Sequence, residues 1–213
     1  TNPTSTVIYK AMIALKSRNA IVFSPHPNAV RCTNEAAKIM HQAAVAAGAP
    51  EGVIGCILNV SMGATNELMK RPGVAMIVAT GGSALVKAAY SSGNPALGVG
   101  PGNVPAFVER SADLPKAAEY IVMGKTFDNG TICASEQAVV AEECIADELI
   151  SQLKGQGAHF LDPEEVMKVS KVVMVPNGGV NPQVVGKEPK FIAQMAGITI
   201  PDNTSCLVAP LAG

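Results

Sequence analysis

Short apolar runs alternate with longer helical patterns along most of this chain. Between Val7 and Leu15 the apolar residues recur at helical spacing, and a buried strand is predicted next, over 19–25, where a proline ends it. The alternation predicts further helices at about 30–48, 64–71, 83–91, 113–126, 144–154 and 163–170, and further strands at about 53–58, 74–79, 104–109, 136–141 and 206–210. Helices that alternate with short, uniformly apolar strands are typical of a parallel sheet covered on both faces, so we predict an α/β fold.

One stretch interrupts this alternation. The segment GNPALGVGPGNVP, residues 93–105, is rich in glycine and proline, and the alternation resumes after it. Segments of this composition commonly connect domains. We therefore predict two domains with a boundary near residue 102.

The charge balance excludes several classes of partner. The 16 basic and 17 acidic residues nearly cancel, to a formal net charge of −1, and the lysines and arginines are scattered. Binding to nucleic acid or anionic lipid needs a basic cluster, and no apolar run approaches the roughly 20 residues of a membrane span. We expect a soluble protein with a small-molecule partner, no nucleic-acid partner and no membrane association.

The cysteines indicate a reducing environment. Five of them, at 32, 56, 133, 144 and 206, form no CxxC pair and no cysteine–histidine set with zinc spacing. Because an odd count also argues against a disulfide framework, we expect reduced thiols, no metal site and a cytoplasmic location. The chain starts at Thr1 without an initiator methionine or a signal-peptide pattern, and we expect it to be a fragment of a longer protein.

Cys133 lies in a setting that suits a nucleophile. The segment KTFDNGTICASEQAVV, residues 125–140, places this thiol in a polar, glycine-containing loop between a predicted helix and a predicted strand. Such loops present side chains to ligands, whereas a cysteine can equally be a small buried apolar residue. We predict the buried role for the four cysteines that lie within helix or strand patterns, which are Cys32, Cys56, Cys144 and Cys206.

The motif TFDNGTICASEQ, residues 126–137, resembles the nucleophile region of the aldehyde dehydrogenase superfamily. It is most similar to the CoA-acylating branch, the acetylating acetaldehyde dehydrogenases that occur within bifunctional aldehyde–alcohol dehydrogenases and as stand-alone enzymes. Four further segments resemble that branch in the same order: TNPTST (1–6), FSPHP (23–27), ATGGSALVKAAYSSG (79–93) and GVGPGNVP (98–105). The resemblance thus extends over nearly the full chain.

This resemblance implies an architecture. We expect an aldehyde dehydrogenase-like α/β fold in which a Rossmann-type parallel sheet binds NAD in residues 1–102, and a second α/β part, residues 103–213, carries the catalytic cysteine. Both parts would be incomplete, since the family extends beyond both ends of this chain. The resemblance also implies a homo-oligomer, a dimer or larger.

The resemblance further implies a mechanism. The Cys133 thiolate attacks a short-chain aldehyde, hydride passes to NAD, and CoA takes the acyl group from the resulting thioester, in a reversible reaction. The backbone N–H of Cys133 and a side-chain amide would stabilise each oxyanion. Asn2 is the candidate for that amide, although TNPT places it one residue away from the asparagine of hydrolytic relatives. An asparagine before a proline is also common as a plain turn residue.

Two strand ends are candidates for cofactor binding. The turn Thr80–Gly81–Gly82 follows a predicted strand and opens a helix, so its amides can face a pyrophosphate. The turn can also be purely structural, because it does not match the GxGxxG fingerprint. The resemblance places Thr80, Gly81 and Gly82 beside NAD, and Ser24, Pro25 and His26 near its adenosine half. Hydrolytic members have a ribose-binding lysine close to Ser24, which this chain lacks.

Gly98 bears on the identity of the acyl acceptor. Hydrolytic aldehyde dehydrogenases carry a glutamate at the matching position, where it acts on water as a general base worth about 10²–10⁴-fold in rate. A CoA thiol needs less help, because with a pKa of about 8.5 it is partly ionised at neutral pH. We therefore predict CoA-dependent deacylation. The alternatives are a hydrolytic enzyme that releases free acid and a nucleotide-binding or filament-forming module without catalysis.

The remaining polar candidates are predicted to have structural roles. Glu136, at the start of a strand, is expected to be solvated, and His41 and His159 have no partner suggested by spacing. Asp128 and Asn129 are predicted to shape the Cys133 loop as turn residues.

Overall fold

A computed structural model of the protein describes residues 2–100, 102–176 and 178–211 of the 213-residue chain. The chain divides into two compact units, Thr1–Pro101 and Gly102–Gly213, and each unit has its own hydrophobic core. None of the helices in the described residues combines the length and the apolar character that crossing a membrane requires.

The first unit alternates helices with short strands. Its elements are α1 Pro3–Lys16, β1 Ile21–Phe23, α2 Val30–Ala46, β2 Ile54–Cys56, α3 Met62–Lys70, β3 Ile77–Thr80, α4 Ser83–Tyr90 and β4 Ala96–Val99. Strands β1 and β2 pair in parallel, with Ile21 opposite Ile54, and β3 and β4 pair in parallel, with Ile77 opposite Ala96. Parallel neighbours need a crossover connection, which α2 provides for the first pair and α4 for the second.

Two core clusters stabilise this unit. The larger one joins α1 and α2 to β1 and β2 and comprises Val7, Ala11, Phe23, Ala37 and Ile54. The smaller one lies among α3, β3 and α4 and comprises Met69, Ala79 and Ala89. Each cluster therefore fixes the strand end that precedes a candidate cofactor segment.

The second unit continues the alternation. Its elements are β5 Val104–Val108, α5 Leu114–Thr126, β6 Glu136–Ala141, α6 Glu143–Gly155, β7 Ala158–Phe160, α7 Pro163–Val173, α8 Pro189–Ala196 and β8 Cys206–Val208. Strand β5 pairs in parallel with β6, and β7 pairs in parallel with β8. The core is built on α5 and α6 and comprises Val108, Leu114, Ala118, Val122, Ile145, Leu149, Leu153 and Ala158.

Local signals in the sequence explain where several of these helices begin. The Asp113 carboxylate accepts a hydrogen bond from the Lys116 N–H at the start of α5. Asp162 and Glu165 form a reciprocal capping box at the start of α7. Such caps satisfy amide groups that have no partner within the helix, so these boundaries are encoded locally.

The α/β prediction with parallel strands is confirmed, and each predicted helix and strand is found within a few residues of its expected position. Three elements were not predicted: β4, β7 and α8. Strand β4 lies within the segment 93–105, where its four residues include Gly98. Its pairing with β3 stabilises it, and such a partner cannot be recognised in a short glycine-containing sequence.

Candidate active site

Cys133 follows a sharp reversal of the chain after α5. A 3₁₀ turn, Phe127–Gly130, contains three consecutive residues with positive φ: Asp128 at 51°, Asn129 at 50° and Gly130 at 69°. Aspartate, asparagine and glycine are the residues that adopt this left-handed conformation at least cost. The DNG sequence therefore allows the chain to turn just before Cys133. The Cys133 side chain is exposed and lies three residues before β6 begins.

We call residues 127–135 the nucleophile loop. Within it, the Thr131 hydroxyl is 2.6 Å from the Asp128 carboxylate, to which it donates a hydrogen bond. The Asn129 side-chain amide donates to the Gly186 carbonyl at 3.1 Å, which ties the loop to the segment before α8. The predicted role of Asp128 and Asn129 in shaping this loop is confirmed.

Three side chains lie where α5 and β6 meet beside the nucleophile loop. The Lys125 ammonium donates to the Gln137 side-chain oxygen at 3.0 Å. One carboxylate oxygen of Glu136 is buried and has no hydrogen-bond partner among the described residues. A β-carbon at Gly124 would overlap this carboxylate, so the glycine provides the space that Glu136 occupies. The prediction that Glu136 is solvated is wrong.

Lys125 interacts electrostatically with two ionisable neighbours, Glu136 and Cys206. Burial lowers the pKa of Lys125, and electrostatic interactions with Cys206 in its ionised form and with the Glu136 carboxylate offset part of that shift. Burial also raises the pKa of the Cys206 thiol. The Glu136 carboxylate thus favours the charged form of Lys125 in partly desolvated surroundings, where such an attraction is stronger than in water.

In the first unit, the turn Thr80–Gly81–Gly82 connects β3 to α4. The Gly81 N–H donates to the Val99 carbonyl at 3.1 Å, and Gly82 is the N-cap residue of α4. A β-carbon at Gly81 would lie 2.9 Å from the Leu85 side chain, whereas one at Gly82 would meet no atom within 4 Å. The turn is therefore packed on the Gly81 side and open on the Gly82 side.

Lys10 on α1 supports the same turn. Its ammonium donates to the Val78 carbonyl at 3.0 Å and to the Thr80 hydroxyl at 2.8 Å. Burial lowers the pKa of Lys10. These two bonds fix the carboxyl end of β3, from which the turn begins.

Ser24, Pro25 and His26 follow the carboxyl end of β1. The Ser24 and Thr65 hydroxyl oxygens are 2.8 Å apart and share a hydrogen bond. The His26 Nδ1 atom accepts a hydrogen bond from the Asn28 N–H at 3.2 Å, at the start of the 3₁₀ turn that leads into α2. An open cleft beside this segment is lined by Pro27, Asn28, Val30, Arg31, Cys32 and Glu35.

Asn2 is the N-cap residue of α1, but its side chain makes no capping hydrogen bond. Its backbone carbonyl accepts from the Thr6 N–H at 3.1 Å. The side-chain amide is thus not used to cap the helix. Asn2 and both candidate cofactor segments belong to the first unit and Cys133 belongs to the second, so the role of Asn2 stays a prediction.

The other cysteines and histidines depart in part from expectation. Cys32 and Cys144 are exposed in the first turns of α2 and α6, so the prediction that they are buried is wrong, because these positions face away from the cores. Cys56 and Cys206 are half-buried.

The His41 Nε2 atom accepts from the Gly52 N–H at 3.0 Å, as a structural histidine would. The described residues contain no group of three histidine, cysteine or acidic side chains that could hold a metal ion.

Comparison with known proteins reveals the family. The model of the aldehyde dehydrogenase family matches residues 2–161, which is more than half of the chain. The chain belongs to the aldehyde dehydrogenase family. Its predicted resemblance to this family and its aldehyde dehydrogenase-like fold are both confirmed.

Three relatives of this aldehyde dehydrogenase chain are informative. The bifunctional aldehyde-alcohol dehydrogenase AdhE of Escherichia coli K12 is 48% identical, over 98% of this chain and 23% of that protein. An acetylating aldehyde dehydrogenase from Geobacillus thermoglucosidasius is 57% identical, with a TM-score of 0.94, over 100% of this chain and 47% of that one. A propionaldehyde dehydrogenase from Rhodopseudomonas palustris, solved with bound CoA and an acylated cysteine, is 35% identical, with a TM-score of 0.90, over 99% and 48%. The chain spans about a quarter of the bifunctional enzyme and about half of the two solved proteins.

Sequence reasoning missed two lysines of this aldehyde dehydrogenase. A signal for Lys10 was present, because it is the only charged residue between Pro3 and Leu15. Lys125 directly precedes the motif that carries Cys133, but nothing in the sequence shows that its ammonium contacts Gln137 beyond the loop.

Proposed function

We propose that this chain is the central part of an NAD-dependent, CoA-acylating aldehyde dehydrogenase. The reaction is aldehyde + NAD⁺ + CoA giving acyl-CoA + NADH + H⁺, reversibly, with acetaldehyde or another short-chain aldehyde as substrate. The observation that carries the proposal is Cys133, an exposed thiol at the end of a loop whose backbone reversal and tethers are built into the fold. The acylated cysteine of the propionaldehyde dehydrogenase supports the same chemistry.

Cys133 carries the covalent steps. Its thiolate adds to the aldehyde carbon, and loss of hydride from the hemithioacetal leaves a thioester on the sulfur. The CoA thiolate then attacks this thioester, the Cys133 thiolate leaves, and acyl-CoA is released. The backbone N–H of Cys133 would stabilise the oxyanion at each tetrahedral stage, and Asn2 is the candidate for a second, side-chain donor.

An NAD-binding domain over residues 1–102 would hold the cofactor, and residues 103–213 would form the catalytic domain. Bound NAD supplies the hydride acceptor. Thr80, Gly81 and Gly82 would lie beside its pyrophosphate, because the turn opens a helix and is unobstructed beside Gly82. The Gly81 N–H already donates to the Val99 carbonyl, so Gly81 would contribute through its small size. Ser24, Pro25 and His26 would lie near the adenosine, with the cleft at the start of α2 beside them.

The expected partners follow from this chemistry. They are a short-chain aldehyde and CoA, without nucleic acid or membrane, and the whole protein would be a homo-oligomer in the cytoplasm. The nearly balanced charge of the chain, −1 overall, supports the exclusion of nucleic acid.

Two measurements on the whole natural protein test the proposal. Cys133→Ser should abolish aldehyde oxidation and leave NAD binding nearly intact, because a hydroxyl without an adjacent base is a poor nucleophile. Cys144→Ser, at another exposed cysteine, is the matched control and should keep full activity. Turnover of the Cys133 variant within about tenfold of wild type would contradict the nucleophile assignment.

The second measurement concerns the acceptor. With saturating NAD and aldehyde but no CoA, the enzyme should form about one NADH per active site and then stall, and CoA should restart it. Mass spectrometry should find the acyl group on the Cys133 peptide. Steady formation of free acid without CoA would instead establish the hydrolytic alternative, and absence of any NADH would favour the non-catalytic one.

A further inference from the structure

We propose that Gly186, which lies outside the sequence motif around Cys133, is a positioning residue for the nucleophile loop. This inference rests on the proposed function, since it concerns how the fold holds the nucleophile of that reaction. Gly186 belongs to the segment between α7 and α8, which is itself fixed to the rest of the second unit. Two contacts connect this segment to the nucleophile loop.

The segment that carries Gly186 is anchored at Asn181 and Val184. The Asn181 side-chain amide donates a hydrogen bond to the Val172 carbonyl of α7 at 2.8 Å. The Val184 side chain is buried. Hydrogen-bonded turns run from Asn181 to Val184 and from Val184 to Lys187, each with an N···O distance of 3.1 Å. The Gly186 carbonyl, within the second turn, is therefore held in place by the fold before it contacts the loop.

The first contact is steric. A β-carbon at position 186 would lie 3.1 Å from Thr131 Cγ2, closer than the roughly 3.5–4.0 Å at which carbon atoms pack favourably. Thr131 is held in this orientation, because its hydroxyl donates a hydrogen bond to the Asp128 carboxylate at 2.6 Å. Gly186 also has a φ of 71°, which glycine adopts without strain. Glycine therefore allows the segment to approach the nucleophile loop this closely.

The second contact is polar. The Gly186 carbonyl accepts a hydrogen bond from the Asn129 side-chain amide at 3.1 Å. Asn129 is exposed, so water competes for this bond and the bond alone is a weak restraint. Together with the Thr131 contact, it restrains the part of the loop in which the chain reverses before Cys133.

These restraints affect how Cys133 engages a substrate and not whether its thiol can react. Addition to an aldehyde and departure of hydride require a fixed geometry of the reacting atoms, and a misplacement of about 1 Å can cost about 10²-fold in rate. A small alkylating reagent such as iodoacetamide needs no such fixed geometry. Loosening the loop at Gly186 should therefore slow hydride transfer much more than alkylation.

The first test is amide hydrogen exchange in the whole protein without ligands. Asn129→Gly removes the donor to Gly186, and glycine adopts the left-handed backbone of position 129 without strain. It should speed exchange of the amides of residues 131–135 by at least about threefold, because the loop then opens more often. The substitution leaves the intrinsic exchange rates of these five amides unchanged. Equal exchange in the variant and the wild type would overturn the inference.

The second test compares two rates in Gly186→Ala: NADH formation in the single turnover without CoA, and alkylation of Cys133 by iodoacetamide. The first should fall by about tenfold and the second should stay within about twofold of wild type. Thr131→Ser removes the methyl group and keeps the hydroxyl, so its addition to Gly186→Ala should restore most of the lost NADH rate. Equal losses in the two rates, or no recovery in the double variant, would overturn the inference.

Gly197→Ala is the matched control for backbone strain. Gly197 has a φ of 66°, and a β-carbon there would meet no atom within 4 Å. This variant should carry a similar backbone strain and keep the wild-type rate of NADH formation. A loss of rate equal to that of Gly186→Ala would overturn the inference, because strain alone would then explain it. Absence of NADH formation by the wild-type enzyme would instead overturn the proposed function, whereas the exchange result would stand.

Discussion

Replacing Lys10 by methionine tests whether α1 fixes the turn that is proposed to bind NAD. The substitution keeps the apolar stem of the side chain and removes the ammonium, with its bonds to the Val78 carbonyl and the Thr80 hydroxyl. Hydrogen bonds to a charged group contribute about 1.5–3 kcal/mol each, which gives a gross loss of about 3–6 kcal/mol.

The net loss of stability is smaller than this gross value for two reasons. Val78 and Thr80 are exposed, so water can replace the ammonium at both oxygens. The lowered pKa of Lys10 shows that its burial already disfavours the charge, and this cost disappears with the charge. We therefore expect Lys10→Met to lower the free energy of unfolding by about 1 kcal/mol. If the turn holds NAD, its loss of support should weaken NAD binding by a similar free energy, about fivefold in Kd.

Urea denaturation and calorimetric titration with NAD measure the two effects. Lys16→Met is the matched control, because Lys16 is exposed in the last turn of the same helix. Lys16→Met should change neither quantity by more than about 0.5 kcal/mol. Unchanged NAD affinity in Lys10→Met, together with the expected loss of stability, would show that the turn does not contribute to the NAD site.

Two further predictions concern Gly124 and Lys125, which precede the nucleophile loop. Gly124→Ala should be less favourable than Gly155→Ala by about 1 kcal/mol in urea denaturation. The reason is that its β-carbon would displace the Glu136 carboxylate, whereas a β-carbon at Gly155 meets nothing within 4 Å. For Lys125, whose pKa is lowered by burial, the cost of the buried charge is present at neutral pH and is relieved as the pH rises through the folded-state pKa toward 10.5. Unfolding free energies measured over that alkaline range should therefore rise more steeply in wild type than in Lys125→Met, and parallel curves would contradict this.

The fold could be predicted where the local pattern is long. Helices such as α1 and α2 repeat their apolar face over several turns, so their period is clear in the sequence. Strand β4 and helix α8 could not be predicted in this way, since the first has four residues and the second has eight residues and begins at a proline. Their stability depends on neighbours distant in sequence, which a local pattern does not record.

The candidate site also contains one feature that the local sequence predicts and one that it does not. The sequence predicts that Asp128 and Asn129 form a turn, and the structure has a turn there. Its backbone is left-handed, a conformation that aspartate, asparagine and glycine tolerate better than other residues. The burial of Glu136 could not be predicted, because a charged residue at a strand start is ordinarily solvated. The space for its carboxylate comes from Gly124, twelve positions earlier in the sequence and on a different element.

The position of Cys133 depends both on the turn residues of its own loop and on hydrogen bonds to residues outside that loop. The turn residues allow the chain to reverse, but a reversal alone leaves a nine-residue loop with many conformations, each of which costs entropy to exclude. Lys125 joins the two ends of this loop through Gln137, and Asn129 joins its middle to Gly186. A nucleophile is effective only when it is held in a fixed geometry before the substrate arrives. The motif around Cys133 therefore specifies the chemistry, whereas bonds to residues outside the motif specify where that chemistry takes place.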